Sequence, residues 1–181
     1  MTLETTTKHQ NSEKDDNFQT EKVITLTGAH FMHDTFTAFV APILPLIMEK
    51  LSLSLTMVGS LTAFMQLPSL LNPFIGFLAD KVSLRYFVIF APAVTATLIC
   101  TLGTVNSYLS LAIILFLAGI SIAAFHAPAP AMVGRISGRR IGKGMSLFMA
   151  GGELGRTVGP LLVLWAVSIW TLDGLLRVAV V

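Results

Sequence analysis

GKGMSLFMAGGELGRTVGP, the stretch Gly142–Pro160, is apolar enough to lie in a membrane and yet contains an acid, a base and a series of glycines. Successive residues of a helix are rotated by roughly 100°, so Gly151, Gly155 and Gly159 lie on one narrow face. Small residues spaced four apart allow the backbone of a second helix to approach closely. The stretch therefore predicts a membrane helix that packs through its glycine face, and we expect its partner helix to lie outside these 181 residues.

The same predicted helix carries two charges on a different side. Glu153 and Arg156 are three residues apart, a spacing at which helical side chains can pair. Charged side chains at membrane depth are costly and usually face a cavity. Arginine stays charged, whereas glutamate can gain and lose a proton. The pair is therefore either a proton-coupling element or a static salt bridge that orients the helix.

The composition assigns the whole chain to the membrane proteins. Apolar residues make up 54% of it and charged residues 12%, whereas soluble domains contain about 25% charged residues. The net charge of +2 gives no indication of a nucleic-acid partner. The single cysteine, Cys100, lies in an apolar run and can form no disulfide within the chain, so we expect it to be a buried apolar side chain.

Apolar runs define the predicted topology. Crossing about 30 Å of hydrocarbon takes about 20 helical residues. The sequence predicts an all-α integral membrane protein in which residues 1–22 form a polar cytoplasmic tail and residues 23–181 form transmembrane helices one to five and the start of helix six. The sixth run, Leu175–Val181, is too short to span, so we expect the chain to end within helix six. The five full runs are Val23–Met48, Met57–Leu78, Tyr86–Val105, Tyr108–Val133 and Met145–Trp170.

The basic residues favour a cytoplasmic N-terminus. Cytoplasmic loops of membrane proteins are enriched in Lys and Arg. With the N-terminus inside, only Lys50 and Arg177 fall on the outer side, and Arg156 lies in the membrane. We therefore expect a multi-pass protein of the plasma (inner) membrane in this orientation. The predicted cytoplasmic basic residues are Lys8, Lys14, Lys22, Lys81, Arg85, Arg135, Arg139, Arg140 and Lys143.

The first apolar run contains a polar cluster, His30, His33 and Asp34. His30 and Asp34 are four residues apart and share a helix face. Because ionisable side chains are rare inside membranes, a proton or substrate pathway is the favoured interpretation. A structural histidine paired with a nearby acid is the alternative. Metal binding by the three is a weaker interpretation, so we predict no metal site.

Prolines predict breaks in two helices. Pro42 and Pro45 are expected to break or kink the first helix, because proline cannot donate a backbone hydrogen bond. In FHAPAP, Pro128 and Pro130 are expected to break the fourth helix. His126 directly precedes that break and either lines the transport pathway or caps the broken helix end.

GFLADKVSLR, residues Gly76 to Arg85, follows the second helix. Its charges could serve as a topology signal alone. The functional interpretation is a gating latch in which Gly76 lets a neighbouring helix approach. In that latch Asp80 accepts hydrogen bonds from a helix N-terminus, while Lys81 and Arg85 pair with nearby acids.

These stretches together resemble the fosmidomycin-resistance branch of the major facilitator superfamily. GFLADKVSLR resembles the G-x-x-x-D-R/K-x-G-x-R/K loop between helices two and three. GELGRTVGP resembles the glycine-rich fifth helix of the proton-coupled antiporters in that superfamily. HFMHDTFTAFVAPILP and FHAPAP also fit this branch, so the resemblance covers about Ala29–Leu162.

The resemblance implies the N-terminal six-helix half of a twelve-helix transporter fold, truncated within helix six. It implies a secondary active antiporter that couples to protons, carries out efflux of a drug-like molecule or metabolite and is associated with antibiotic resistance. Carried over by residue, Asp80 and Arg85 belong to the gating loop. Gly155, Gly159 and Pro160 belong to the antiporter packing motif.

The sequence also departs from the superfamily pattern. Ser83 replaces the middle glycine of the loop, and Leu84 replaces a residue that is usually basic. The fourth helix lacks the intramembrane arginine that many proton-coupled members carry. Ala127 stands where the branch often has proline. The missing arginine argues against the standard proton relay of the superfamily.

The expected partners are the lipid bilayer, a small-molecule substrate, protons, and a missing C-terminal half or a second copy of the chain. No cofactor is expected. One alternative is a truncated fragment without transport activity of its own. A second is an intramembrane enzyme, because GISIA, Gly119–Ala123, comes close to a serine-protease motif. Ala123 departs from that motif, and the sequence has no H-E-x-x-H metalloprotease motif, so we predict no enzymatic activity.

Overall fold

A computed structural model describes residues 18–82 and 85–179, without the side chains of Ala79 and Asp80. In this part of the chain five helical spans are long and apolar enough to cross a membrane, which confirms the five predicted runs. Each boundary agrees with the prediction to within four residues. The spans, numbered 1 to 5 in chain order, are Thr20–Lys50, Leu55–Leu78, Arg85–Thr104, Tyr108–Ile136 and Ile141–Trp170.

The spans are built from eight α-helices and short 3₁₀ turns in the described residues. The 3₁₀ turns cover Leu67–Leu71, Leu102–Thr104 and Asp173–Ala179. Most of the sixth apolar run lies in the last of these turns, and Val180 and Val181 are outside the described residues. The helices are α1 Thr20–Thr37, α2 Val40–Lys50, α3 Leu55–Gln66, α4 Asn72–Lys81, α5 Arg85–Thr101, α6 Tyr108–His126, α7 Pro128–Ile136 and α8 Ile141–Trp170.

The polar tail is described only from Phe18 onward. Helix α1 begins at Thr20, three residues before the predicted start of the first run. The backbone N–H of Gln19 donates to the carbonyl of Ile136 at 2.9 Å, and Lys143 Nζ lies 5.1 Å from the centre of the Phe18 ring. The end of the predicted tail is thus attached to the turn between spans 4 and 5.

Prolines break spans 1 and 4 as predicted. In span 1 the helix is interrupted at Ala38 and Phe39, upstream of Pro42. The reason is that Pro42 has no N–H to donate to the carbonyl of Ala38 and its ring crowds that carbonyl. In span 4 α6 ends at His126 and α7 begins at Pro128, a position where the missing N–H is tolerated.

The glycine face of α8 packs on α1 of the same chain, so the expectation that its partner lies outside these residues is wrong. A Cβ on Gly151 would lie 2.6 Å from the carbonyl oxygen of Thr27. A Cβ on Gly155 would collide with the carbonyl oxygen of Phe31, and one on Gly159 with that of Thr35. Glycines spaced four apart thus meet carbonyls spaced four apart, in the register of two parallel helices.

The polar cluster of span 1 lies between two apolar clusters. Leu26 and Ala29 pack on the smaller cluster, which contains Phe125 and Phe148. Further along the span, Phe36, Phe39, Ile43 and Ile47 belong to the larger cluster. Residues 30–34 therefore lie at the junction of two apolar regions, where a charged group needs partners from the protein.

Lys50 joins the C-terminal ends of spans 1 and 3 to the C-terminal 3₁₀ turn. Lys50 Nζ donates to the carboxylate of Asp173 at 2.7 Å and to the carbonyl of Gly103 at 2.7 Å. A Cβ on Gly103 would collide with the carbonyl of Leu172. The C-terminal 3₁₀ turn is thereby held against the ends of spans 1 and 3.

The loop positions allow a test of the predicted orientation. Asn106 and Arg139 are exposed in the turns after spans 3 and 4, whereas Ser137 is fully buried and unsuitable for labelling. In a Cys100→Ala background, we expect Asn106→Cys to react with an impermeant maleimide from outside. Arg139→Cys should react only from the cytoplasmic side. The reversed labelling pattern would contradict a cytoplasmic N-terminus.

The contact between α8 and α1 predicts that replacing a glycine of this face by alanine lowers the stability of the protein. Gly→Ala in an open helix stabilises by about 1 kcal/mol. Gly155→Ala should instead destabilise by about 1–3 kcal/mol, because the new methyl group has no room against the α1 backbone. Gly142→Ala on the same helix is the matched control, since nothing lies within 4 Å of its Cβ position. Thermal unfolding in detergent measures both variants, and equal melting temperatures would contradict the tight contact.

Candidate functional site

Asp34 is the centre of the site. Its side chain is 3% exposed, and it receives side chains from spans 1, 4 and 5. Oδ1 lies 3.3 Å from His33 Nδ1 and 3.2 Å from His126 Nε2. Oδ2 lies 3.3 Å from His30 Nε2 and 3.5 Å from Arg156 Nε. The structure thus brings together four of the predicted pathway residues around one buried carboxylate.

His30 is fixed in orientation by span 5. Its Nδ1 lies 2.8 Å from the carbonyl oxygen of Phe148, which can only accept, so Nδ1 carries a proton. The imidazole also stacks on the Phe148 ring at 4.1 Å between centroids. A Cβ on Gly152 would collide with this imidazole, so only glycine leaves room for it. Nε2 consequently points at Asp34, but it makes no hydrogen bond within the described residues.

His33 connects Asp34 to spans 3 and 4 through a buried chain of hydrogen bonds. Ser121 donates to the carbonyl of Ala91 at 3.1 Å, and Thr95 donates to Ser121 at 2.8 Å. Because the Thr95 proton is used in this way, His33 Nε2 must donate to Thr95 Oγ1, 3.2 Å away. His33 Nδ1 then faces the carboxylate of Asp34 and can donate to it only if the ring holds a second proton.

His126 lies at the proline break, between the buried carboxylate and the cavity. It is the last residue of α6, directly before the proline break, and its side chain is one-third exposed. Its ring stands edge-on to His30 and to His33, at 5.2 and 5.1 Å between centroids. The break therefore positions His126 where it contacts Asp34 and also lines the adjacent cavity.

Arg156 links the buried carboxylate to an exposed one. Its NH2 atom donates to Glu153 Oε1 at 2.6 Å, which confirms the predicted contact. Its Nε lies near Asp34. The side chain of Arg156 is 51% exposed and that of Glu153 65% exposed. One guanidinium is thus shared between a carboxylate inside the helix bundle and one on its surface.

A cavity of about 450 Å³ opens beside this network. His30, His126 and Arg156 form its charged or ionisable wall, and spans 2 and 4 supply most of the remaining lining. The lining is polar for a membrane bundle, with amide and hydroxyl groups that the sequence did not single out. These groups belong to Gln66, Ser69, Asn72 and Thr37.

The predicted gating loop is only partly described. The side chain of Asp80 and all of Ser83 and Leu84 lie outside the described residues. No heavy atom lies within 4 Å of a Cβ placed on Gly76, so the expected close helix approach does not occur within the described chain. Lys81 and Arg85 contact aromatic rings: Lys81 Nζ lies 4.2 Å from the Phe77 ring centre, and Arg85 donates to the Tyr86 hydroxyl at 2.8 Å.

The donor set of the site also has the composition of a metal centre. One ligand atom each from His30, Asp34 and His126 lies within 4.8 Å of the others. On sequence alone, His33 is the third candidate ligand beside His30 and Asp34, but its Nε2 is bound to Thr95. His126 replaces it because span 4 carries that histidine to the cluster from 92 residues away in the sequence.

Comparison with known proteins agrees with the resemblance seen in the sequence. The family model of the Major Facilitator Superfamily matches residues 26–181. The chain is 28% identical over 135 residues to the fosmidomycin resistance protein of Escherichia coli K12, covering 74% of this chain and 33% of that protein. It is 24% identical over 136 residues to YfnC of Bacillus subtilis 168, an uncharacterised MFS-type transporter, with the same coverage. The chain thus spans about a third of the length of these relatives. No solved structure matches it significantly.

The chain of hydrogen bonds behind His33 predicts the effect of removing one hydroxyl. Thr95→Val conserves shape but leaves His33 Nε2 without an acceptor and Ser121 without a donor. Unsatisfied buried polar groups cost about 1–3 kcal/mol, so the melting temperature should fall. Thr97→Val is the matched control on the same helix, because Thr97 is exposed and bonds only to the carbonyl of Ala93 in its own helix. Equal stability of the two variants would contradict the assigned network.

Proposed function

The chain belongs to the Major Facilitator Superfamily, and on that premise we propose that it acts in secondary active transport, coupling proton entry to efflux of a small molecule. The name of the Escherichia coli relative supports a drug-like or metabolite substrate. We propose no enzymatic activity for the chain. In the proposed orientation the N-terminus lies in the cytoplasm and the spans cross the plasma (inner) membrane.

The observation that carries the proposal is the sharing of Arg156 between Glu153 and Asp34. Arg156 keeps its charge throughout. When Glu153 is ionised, its 2.6 Å contact holds the guanidinium toward the surface of the bundle. When Glu153 gains a proton, that attraction is lost and Asp34 becomes the stronger partner. The protonation of Glu153 would thereby change the position of a cation beside the cavity.

Substrate movement can be linked to this shift. An anionic or polar molecule in the cavity would compete with the two carboxylates for Arg156, since all three attract the same guanidinium. Substrate would then favour one position of Arg156 and a proton on Glu153 the other. Two ligands that favour opposite states of one element are coupled by thermodynamic necessity, which is what antiport requires.

Arg156 lines the cavity, and the side chains of Glu153 and Arg156 are both more than half exposed on the surface of this bundle. Alternating access in such transporters arises from two helical repeats that move against each other around a central site. We propose that a second six-helix bundle, a C-terminal half or another copy of the chain, closes the cavity. The predicted gating-loop residues Asp80, Lys81 and Arg85 would then act at the cytoplasmic rim of that bundle interface.

Glu153→Gln tests the proposed coupling. In inverted membrane vesicles from cells that express the chain together with the second six-helix bundle, an imposed pH gradient should drive uptake of fosmidomycin, the first substrate to test. We expect Glu153→Gln to abolish this uphill movement and to preserve downhill exchange, because the amide keeps a hydrogen bond to Arg156 but cannot carry a proton. Glu49→Gln, which removes an exposed carboxylate at the end of span 1, is the control and should change neither activity.

Two outcomes would count against proton coupling by Glu153. If uphill and downhill movement decline together with the melting temperature, the Glu153–Arg156 pair is a static salt bridge. If Glu153→Gln leaves uphill transport and its pH dependence unchanged, Glu153 has no part in coupling.

A further inference from the structure

We propose that His30, Asp34 and His126 form a binding site for one divalent transition-metal ion of the Zn²⁺ class. Span 1 supplies two of the three ligands and the end of α6 supplies the third. Two imidazole nitrogens and a carboxylate are a ligand set that suits this class of ion. Three protein ligands leave a coordination position for water or another small ligand.

The distances between the ligand atoms fit such an ion. Zn²⁺ binds nitrogen and oxygen ligands at about 2.0–2.2 Å in a tetrahedral arrangement, which places neighbouring ligand atoms about 3.3–3.5 Å apart. His30 Nε2 lies 3.3 Å from Asp34 Oδ2, and His126 Nε2 lies 3.2 Å from Asp34 Oδ1. The two histidines face different oxygens of the carboxylate, and one ligand atom from each of the three residues lies within 4.8 Å of the others. An ion can therefore bind between them once the side chains close toward it.

The second observation is the unused nitrogen of His30. The residue is 2% exposed, and its Nε2 is a buried polar atom without a hydrogen-bond partner in the described residues. Its Nδ1 proton is committed to the carbonyl of Phe148, so Nε2 presents a lone pair toward Asp34. A buried lone pair beside a carboxylate oxygen is unfavourable, and a cation between them satisfies both.

The surrounding contacts are those that support metal ligands elsewhere. A ligating histidine usually donates its other N–H to a carbonyl or carboxylate, as His30 does to Phe148. A ligating carboxylate is usually held in place by neighbouring side chains. His33 lies beside the Asp34 carboxylate and is itself anchored to Thr95, so the neutral ring can fix the position of Asp34 by contact. We therefore assign His33 to support of the site and not to ligation.

Arg156 is the group that opposes the ion. Its Nε is 3.5 Å from Asp34 Oδ2, and a second positive charge there is repelled by a bound cation. The guanidinium is half-exposed and already bonded to Glu153, so it can leave Asp34 without losing every partner. Metal and Arg156 thus compete for one carboxylate, and a bound ion would exchange the contact between spans 1 and 5 for a link between spans 1 and 4.

The ion has a route to the site. His30, His126 and Arg156 all border the 450 Å³ cavity, and the one-third exposure of the His126 side chain places a ligand at its wall. Water in the cavity can complete the coordination. The site requires no transport activity, so binding can be measured whether or not the proposed function holds.

The experiment is a metal titration of the purified full chain in detergent, prepared without a polyhistidine tag and stripped with a chelator. Co²⁺ is the spectroscopic probe, and Zn²⁺ is added in competition. We expect one ion per chain with the intense visible bands of low-coordinate Co²⁺. His30→Gln and His126→Gln should each weaken binding by more than about 100-fold, beyond the 10–100-fold typical of losing a supporting partner. His33→Gln should fall within that smaller range.

Three further variants make the assignment specific. Arg156→Gln should strengthen binding several-fold, because it removes the competing cation. His9→Gln and Cys100→Ala remove the remaining histidine and the only thiol, and neither should change the affinity. His126 is the last residue of its helix, and its side chain is one-third exposed. We therefore expect His126→Gln to fold even if His30→Gln does not, and its melting temperature checks this.

Several results would overturn the proposal. These are absence of stoichiometric Co²⁺ and Zn²⁺ binding, unchanged affinity in a folded His126→Gln variant, or loss of binding in His9→Gln. Weaker binding in Arg156→Gln would show that Arg156 supports the ion, which contradicts competition between Arg156 and the metal for Asp34.

Discussion

The need of one buried carboxylate for positively charged or hydrogen-bonding partners is the constraint on which the rest of the structure depends. Asp34 lies between two apolar clusters with 3% of its side chain exposed. An unpaired charge in such a place costs several kcal/mol, so the fold must deliver partners to it. Arg156 from span 5 supplies the positive charge, and the imidazoles that surround the carboxylate are His126 from span 4 and His30 and His33 from span 1.

Backbone geometry makes that delivery possible. The glycine face of α8 brings its helix so close to α1 that Cβ atoms have no room between them. Gly152 leaves space for the imidazole of His30, and the Phe148 carbonyl fixes its orientation. The proline break after α6 ends the helix at His126, where the ring can turn toward Asp34. The packing residues of these helices therefore position the polar side chains around Asp34.

Much of this fold can be read from the sequence, because membrane spans and helix breaks depend on local composition. The five spans, the break before Pro128 and the Glu153–Arg156 contact follow from hydropathy, proline chemistry and helical spacing. The partner of the glycine face could not be predicted, since a small-residue face shows that a helix approaches but not which one. The same limit explains why His126, Thr95 and Ser121 were not assigned to Asp34. Single polar residues in apolar runs carry no information about which span they meet.

If Asp34 holds spans 1 and 4 together through His126, the two residues must be energetically coupled, and a double-mutant cycle measures that coupling. The unfolding free energies of Asp34→Ala, His126→Ala and the double variant would be measured in detergent. We expect His126→Ala to be less destabilising by about 0.5–3 kcal/mol when Asp34 is already absent, as for residues in one contact network. Effects that add to within about 0.3–0.5 kcal/mol, the range for independent sites, would contradict it.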